Sequence, residues 1–338
     1  MVKSLEWLKI KPQTLITTQK KMKHWIQAAR LRTLPLSVSG ILVGSFYALS
    51  IPTDTILTPT KVFSWKIFGL LLLTTLGLQV LSNFANDYGD GVKGTDNEDR
   101  IGPMRAIQSG AISREAMKNA IILTAILTLL SALTLIYYSF GDTYLLYSFI
   151  FIFLGIVAII AAIKYTVGNS AYGYKGFGDI FVFIFFGIVS TMGSHFMFAK
   201  QIDWILLLPA TAIGFLSVGV LNLNNMRDEV SDKKAGKNTV VVKMGGKNAK
   251  IYHFFLVISA MLLVVLFGVL KKFNFDQYMF IVAFFPLTSH LITVFKNKEP
   301  RLLDPELKKL AISTFLLSIL LSLALIFLIS DIFIYFLE

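Results

Sequence analysis

Nine stretches of this 338-residue chain contain no Asp, Glu, Lys or Arg: positions 34–51, 67–85, 119–139, 144–163, 180–199, 204–223, 251–270, 278–295 and 312–330. A helix rises about 1.5 Å per residue, so each run is long enough, or nearly so, to cross a hydrocarbon core of about 30 Å. Composition agrees: 55% of residues are hydrophobic and 15% charged, and the mean hydropathy is +0.68, outside the soluble globular range. The expected fold is an all-α integral membrane protein with nine transmembrane helices.

With the charges confined to the connections, orientation is legible from Lys and Arg. Of the 32, 27 fall on the side that holds the N-terminus and the loops after runs 2, 4, 6 and 8. The positive-inside rule makes that side cytoplasmic, with Glu338 outside. The net charge of +12 is spread over five membrane-flanking segments rather than gathered on one soluble face. It therefore suits membrane lipids with anionic headgroups and excludes nucleic acid as a partner. The chain has no Cys, hence no disulfide framework and no thiolate metal site. Residues 1–23 are polar and Lys-rich, lack the apolar core of a signal peptide, and are expected to form a cytoplasmic arm. Residues 24–338 are expected to form a single transmembrane domain. His24–Thr33 should lie at the interface, with Arg30 and Arg32 towards phosphates, before Pro35 opens the first span.

Two acidic segments stand where runs 2 and 6 meet the cytoplasm. One is Asn86-Asp87-Tyr88-Gly89-Asp90 with Asp96 behind it; the other is Asn224-Asn225-Met226-Arg227-Asp228 with Asp232 behind it. Both read Asn-x3-Asp plus a further acid, at equivalent places, which suggests two pseudo-repeated four-helix halves, with a ninth helix added and the site between them. If the spans continue as helix, Asn83, Asp87 and Asp90 share one face, and Asn224, Asp228 and Asp232 share another. Taken singly, each acid reads as a solvated charge paired with Lys93, Arg100, Arg227 or Lys233. Two matched clusters on one membrane side read instead as a site, because stacked like charges call for a cation. Carboxylate and amide oxygens without His or Cys suit Mg²⁺, which takes one or two carboxylates per ion together with phosphate oxygens. Candidate metal ligands are Asn86, Asp87, Asp90, Asp96, Asn224, Asp228 and Asp232. Arg100, Arg105, Lys237 and Lys243 are candidates for binding a diphosphate. Asn83, Arg30, Lys164 and Tyr165 are candidate substrate contacts.

Gly40-Ile-Leu-Val-Gly44 reads as a helix-packing face. The Gly-rich segment 173–179 reads as a flexible loop, and His195 as a hydrogen-bonded packing residue.

The segments NDYGDGVKGTDNEDRIGPMRAIQSGAIS (86–113) and LNLNNMRDEVSDKKAGKNTVVVKMG (221–245) resemble the two Asp-rich motifs of the UbiA superfamily of intramembrane prenyltransferases. AARLRTLPLSVSGILVG (28–44), the Gly94-Thr95-Asp96 of the first motif and the Asn-Asn-x-Arg-Asp of the second are most similar to the branch that prenylates 1,4-dihydroxy-2-naphthoate. The resemblance implies nine helices in a bacterial cytoplasmic membrane and Mg²⁺ held by Asp87, Asp90, Asp96, Asp228 and Asp232. It also implies transfer of a polyprenyl group from polyprenyl diphosphate to an aromatic acid with loss of CO₂, giving demethylmenaquinol. A 4-hydroxybenzoate or homogentisate acceptor stays open within the superfamily. The broad motif has a third acid at the position of Gly94, and here Asp96 follows two residues later, so either Asp87 or Asp96 completes the first shell. Outside the family, a CDP-alcohol phosphotransferase would need Ala-Arg where Gly94-Thr95 stands. A cation-coupled transporter would need ionisable residues inside the spans.

Overall fold

The computed structural model describes residues 22–30, 33–50, 63–95 and 101–335. Among them there is no strand, and the apolar runs are helices: α1 Leu34–Leu49, α2 Trp65–Lys93, α3 Arg114–Phe140, α4 Leu145–Lys164, α5 Gly178–Ala199, α6 Leu207–Arg227, α7 Val240–Leu270, α8 Phe275–Lys296 and α9 Asp304–Tyr335. Eight of them are long and apolar enough to cross a membrane, while α1, at 16 residues, is shorter. Several overrun their uncharged stretches. α2 continues through the first acidic motif, and α7 begins at Val240 and passes a kink at Gly245, whose φ is 79°.

α2 packs most extensively on α3, and α6 on α7, the equivalent pairs of the two halves. α1 behaves differently, since it lies mainly against α5 and α9 rather than against α2, which follows it in the chain. Leu36, Val43 and Tyr47 of α1 accordingly join the largest apolar core, built with residues of α6 to α9. Two glycines make the α1–α5 approach close. A Cβ on Gly40 would sit 2.3 Å from Ser190 Oγ, and one on Gly44 would sit 2.0 Å from the Thr191 carbonyl oxygen. The facing stretch of α5, Phe183–Gly193, is wound as π-helix. The packing role read from the spacing of these glycines thus has a definite partner.

His195 differs from expectation. It is buried with its ring edge-on to Tyr47, centroids 5.3 Å apart, and neither ring nitrogen has a hydrogen-bond partner. The buried polar connection of this bundle runs elsewhere. Asn222 lies 3.4 Å from His253 Nδ1, His253 Nε2 lies 2.8 Å from His290 Nε2, and His290 Nδ1 lies 2.5 Å from Glu306, tying α6, α7, α8 and α9 together.

Ahead of α1, residues 22–29 form a short helix that ends at Arg30 with φ 54°. It is laid along α2 by a bond from Asn83 Nδ2 to the Ala29 carbonyl (2.9 Å) and by edge contact of Trp25 with Phe84 (5.6 Å). The remainder of the expected 1–23 arm, residues 1–21, lies outside the described residues, as do Leu31 and Arg32.

Candidate active site

α2 carries its motif on an unbroken helix. Asn83, Asp87 and Asp90 share a buried face, and the helix ends only after Lys93, where Gly94 takes the left-handed conformation (φ 70°) and donates its N–H to the Asp90 carbonyl. Glycine adopts that conformation without a Cβ penalty, so the backbone turns there. α6 ends earlier. Asp228 leaves helical geometry (φ −100°, ψ 11°), and a second short helix, Glu229–Lys234, carries Asp232. The expected continuous i, i+4, i+8 stack is therefore bent at its middle member. Helical bonding persists across the bend, from Asp228 N to the Asn224 carbonyl (3.1 Å) and from Asp232 N to the Asp228 carbonyl (2.8 Å).

The two helix ends face each other across a small polar chamber of about 20 Å³ lined by Asp90, Thr95, Arg105, Asn224, Asp228, Ser231, Asp232 and Lys237. Arginine and lysine compensate its acids. Arg105 donates to Asp87 at 2.6 Å and approaches Asp90 at 3.9 Å, while Arg30 also reaches Asp87 at 3.2 Å. Arg227 binds both oxygens of Asp228, at 3.0 and 2.7 Å, and Lys237 stands 3.5 Å from Asp232. Burial pushes the Asp232 carboxyl up to about 6, with the neighbouring Asp228 and Asp90 carboxylates adding to the push and Lys237 opposing it.

Asp232 Oδ2 is buried and makes no hydrogen bond. An unsatisfied carboxylate oxygen in a polar space of single-water size, faced by Asp90, Asn224 and Asp228, fits a small hard cation. Among the described residues no three His, Asp or Glu side chains converge closely enough to cage a metal alone.

The remaining expected site residues are placed as follows. Asp96 and Arg100 lie outside the described residues. Asn86 turns its side-chain oxygen to Thr166 Oγ1 (3.1 Å), away from the chamber lining. Asn83 is taken up by Ala29, as described above. Lys243 reaches the Lys175 carbonyl (3.1 Å) and holds the 172–175 turn, and Lys164 is exposed. Tyr165 stands edge-on to Tyr172 at 5.3 Å, with Gly173 and Gly178 packed against its ring. Burial raises its phenol pKa, and the Asp179, Asp90 and Asp232 carboxylates raise it further, which places the ring in the field of both motifs.

Besides Thr95 and Ser231 of the lining, two residues that hold the motifs in place were not singled out from sequence. Tyr174, in the Gly-rich loop, donates to Asp90 Oδ1 (2.7 Å), pairs with Thr95 (2.5 Å) and lies beneath the Lys93 ammonium, 3.9 Å from its ring centroid. The loop thus supplies a site residue instead of acting as a flexible connection only. Asp304, the first residue of α9, binds Arg227 from the far side. The one sequence signal for Tyr174 was an aromatic among glycines on the membrane side that carries both motifs. Because the acids come from two distant helices, the single compact motif of a CDP-alcohol phosphotransferase does not describe this chamber.

Comparison with known proteins agrees with this geometry. Residues 45–303 match the UbiA prenyltransferase family. The chain is 42% identical to a 1,4-dihydroxy-2-naphthoate octaprenyltransferase of Haemophilus influenzae over 90% of its own length and 96% of that protein's. It is 40% identical to the protein of the same name from Escherichia coli, over 86% and 90%. Among solved structures, a UbiA homologue from Aeropyrum pernix superposes with a TM-score of 0.63 at 14% identity, over 88% of this chain and 98% of that one. One from Archaeoglobus fulgidus bound to GPP and Mg²⁺ superposes at 0.60 and 16% identity, over 91% and 99%. Two helix ends that bring acidic motifs face to face, together with these matches, make the chain a member of the UbiA prenyltransferase family.

Proposed function

We propose that the protein transfers a polyprenyl group from polyprenyl diphosphate to 1,4-dihydroxy-2-naphthoate, with loss of the ring carboxylate as CO₂, giving the demethylmenaquinol of menaquinone biosynthesis. What carries the reading is identity of 40–42% to naphthoate octaprenyltransferases along nearly the whole chain. Asp90, Asn224, Asp228 and Asp232 would hold Mg²⁺, with Asp87 and Asp96 as the remaining candidates of the first motif. Bound there, Mg²⁺ supplies the positive charge that neutralises a departing diphosphate.

The chain's own side chains do the rest. Arg105 and Lys237, beside the acids, bind phosphate oxygens by charge-assisted hydrogen bonds. Tyr174 holds Asp90 in place through its hydroxyl. As the allylic C–O bond breaks, positive charge develops on the prenyl carbon. The Tyr165 and Tyr172 rings, packed edge to face beside the motifs, help exclude water that would quench it. The electron-rich naphthalene ring then forms the new C–C bond and releases its carboxylate as CO₂. The Lys and Arg asymmetry supports a chamber that faces the cytoplasm, and the bacterial relatives support an inner-membrane location.

The test incubates membranes carrying the protein with a polyprenyl diphosphate, Mg²⁺ and a panel of 1,4-dihydroxy-2-naphthoate, 4-hydroxybenzoate and homogentisate, and identifies the prenylated product by mass spectrometry. A decarboxylated prenyl naphthalenediol, formed only with Mg²⁺, is expected. A product from either of the other acids with none from the naphthoate would overturn the acceptor assignment.

A further inference from the structure

The second motif is held in place from another helix. Arg227 ends α6 with only 1% of its side chain exposed, so its guanidinium has no water to turn to. Its Nε and Nη2 bind the two oxygens of Asp228, and Nη2 also binds Asn224 Oδ1 at 2.6 Å. Its remaining arm, Nη1, binds Asp304 Oδ1 at 2.5 Å. One rigid fork thus fixes the side chains of both Asn-x3-Asp positions, and α9 contributes the counter-charge. Asp304 itself does not line the chamber.

We propose that Asp304 is a positioning residue of the divalent-cation site, acting through Arg227. The inference rests on reading the chamber as a cation site. Each carboxylate or amide oxygen offers more than one lone pair, so Asn224 and Asp228 can accept from Arg227 on one side and face the chamber with the other. The geometry is useful only if the buried guanidinium charge is shared. With Asp304 in place, Arg227 orients Asp228 while much of its charge is answered from α9. With Asp304 neutralised, the whole charge falls on Asp228 and opposes any cation approaching the same carboxylate.

The test uses the full-length protein in lipid nanodiscs and Mn²⁺ with inorganic pyrophosphate as probe, bound ion being read by loss of the free-ion EPR signal. Asp304→Asn is expected to bind Mn²⁺ about 10–100-fold more weakly than wild type, the range found when partners of metal ligands are removed. Asp304→Glu should stay close to wild type. The Mg²⁺ concentration giving half-maximal transfer should rise in the same proportion, with the rate at saturating Mg²⁺ and the KM for the aromatic acceptor little changed. In an Arg227→Gln background, adding Asp304→Asn should leave Mn²⁺ affinity unchanged, because the link through which Asp304 acts is gone. Even if Asp304→Asn alone does not fold, that comparison can still overturn the proposal, since a further loss there would mean that Asp304 acts without Arg227. Unchanged affinity in Asp304→Asn, or a further loss in the Arg227→Gln background, overturns the proposal. Absence of Mn²⁺ binding by wild type would instead overturn the cation reading beneath it.

Discussion

At the end of α2 the helix runs unbroken past Asp87 and Asp90 to Lys93, and the arginines that answer those acids, Arg30 and Arg105, arrive from other segments. At the end of α6 the helix bends at Asp228, and its cations, Arg227 and Lys237, come from the motif's own vicinity. The same Asn-x3-Asp spacing is therefore set in two different frames. One is a rigid rod with imported counter-charges, the other a bent rod that supplies its own and is braced from α9. A repeated acid pattern specifies which oxygens meet, whereas the charge around each copy is free to diverge.

Breaking the comparison at its root means showing that the two motifs do not share a membrane face. Cysteines placed singly at Lys93 and Lys234, both exposed, should react with an impermeant thiol reagent only from the cytoplasmic side, and one at exposed Asp142 only from the other. Labelling of Lys93→Cys from outside intact cells would separate the motifs from the proposed orientation.

Next in size, Asp90→Ala and Asp228→Ala should each lower transfer by about 10²–10³-fold or more, the scale of losing stabilisation of developing charge, with membrane insertion intact. If either variant turned over near normally at saturating Mg²⁺, only one frame would carry the chemistry.

A smaller effect distinguishes the two sets of counter-charges. Arg227→Ala leaves Asp228 without its principal cation in a buried setting and should cost about 3–5 kcal/mol of stability. Arg105→Ala leaves Arg30 on Asp87 and should cost about 1–3 kcal/mol. Thermal unfolding in one detergent compares them; equal losses would mean that the self-supplied and imported cations are energetically alike.

The smallest concerns the turn after α2. Gly94→Ala meets no atom within 4 Å and adds only the strain of a left-handed Cβ, about 1–2 kcal/mol. Unfolding midpoints measured beside wild type would show it, and activity at saturating Mg²⁺ should hold.

The stacking of Asn83, Asp87 and Asp90 was legible from sequence because helical periodicity alone sets it once the span continues. The bend at Asp228 was not, since no Gly or Pro marks it in the sequence. Arg105 and Lys237 were legible as cations trailing each motif, but their partners were not, because pairing across 18 residues or between helices depends on tertiary placement. The contributions of Tyr174 and Asp304 arise only when the 172–175 turn and the start of α9 are folded against the motifs. For His195, a buried imidazole in a span suggested a partner; packing against the Tyr47 ring supplies contact without a hydrogen bond.

The seam where Gly40 and Gly44 meet α5 joins the first helix of one half to the first helix of the other. It lies in the apolar stretch of α1, where Gly40 makes room for the Ser190 side chain and Gly44 lets the Thr191 carbonyl oxygen come where a Cβ would otherwise stand. A methyl group added at Gly44 would act as a shim, forcing α1 off the Thr191 backbone of α5.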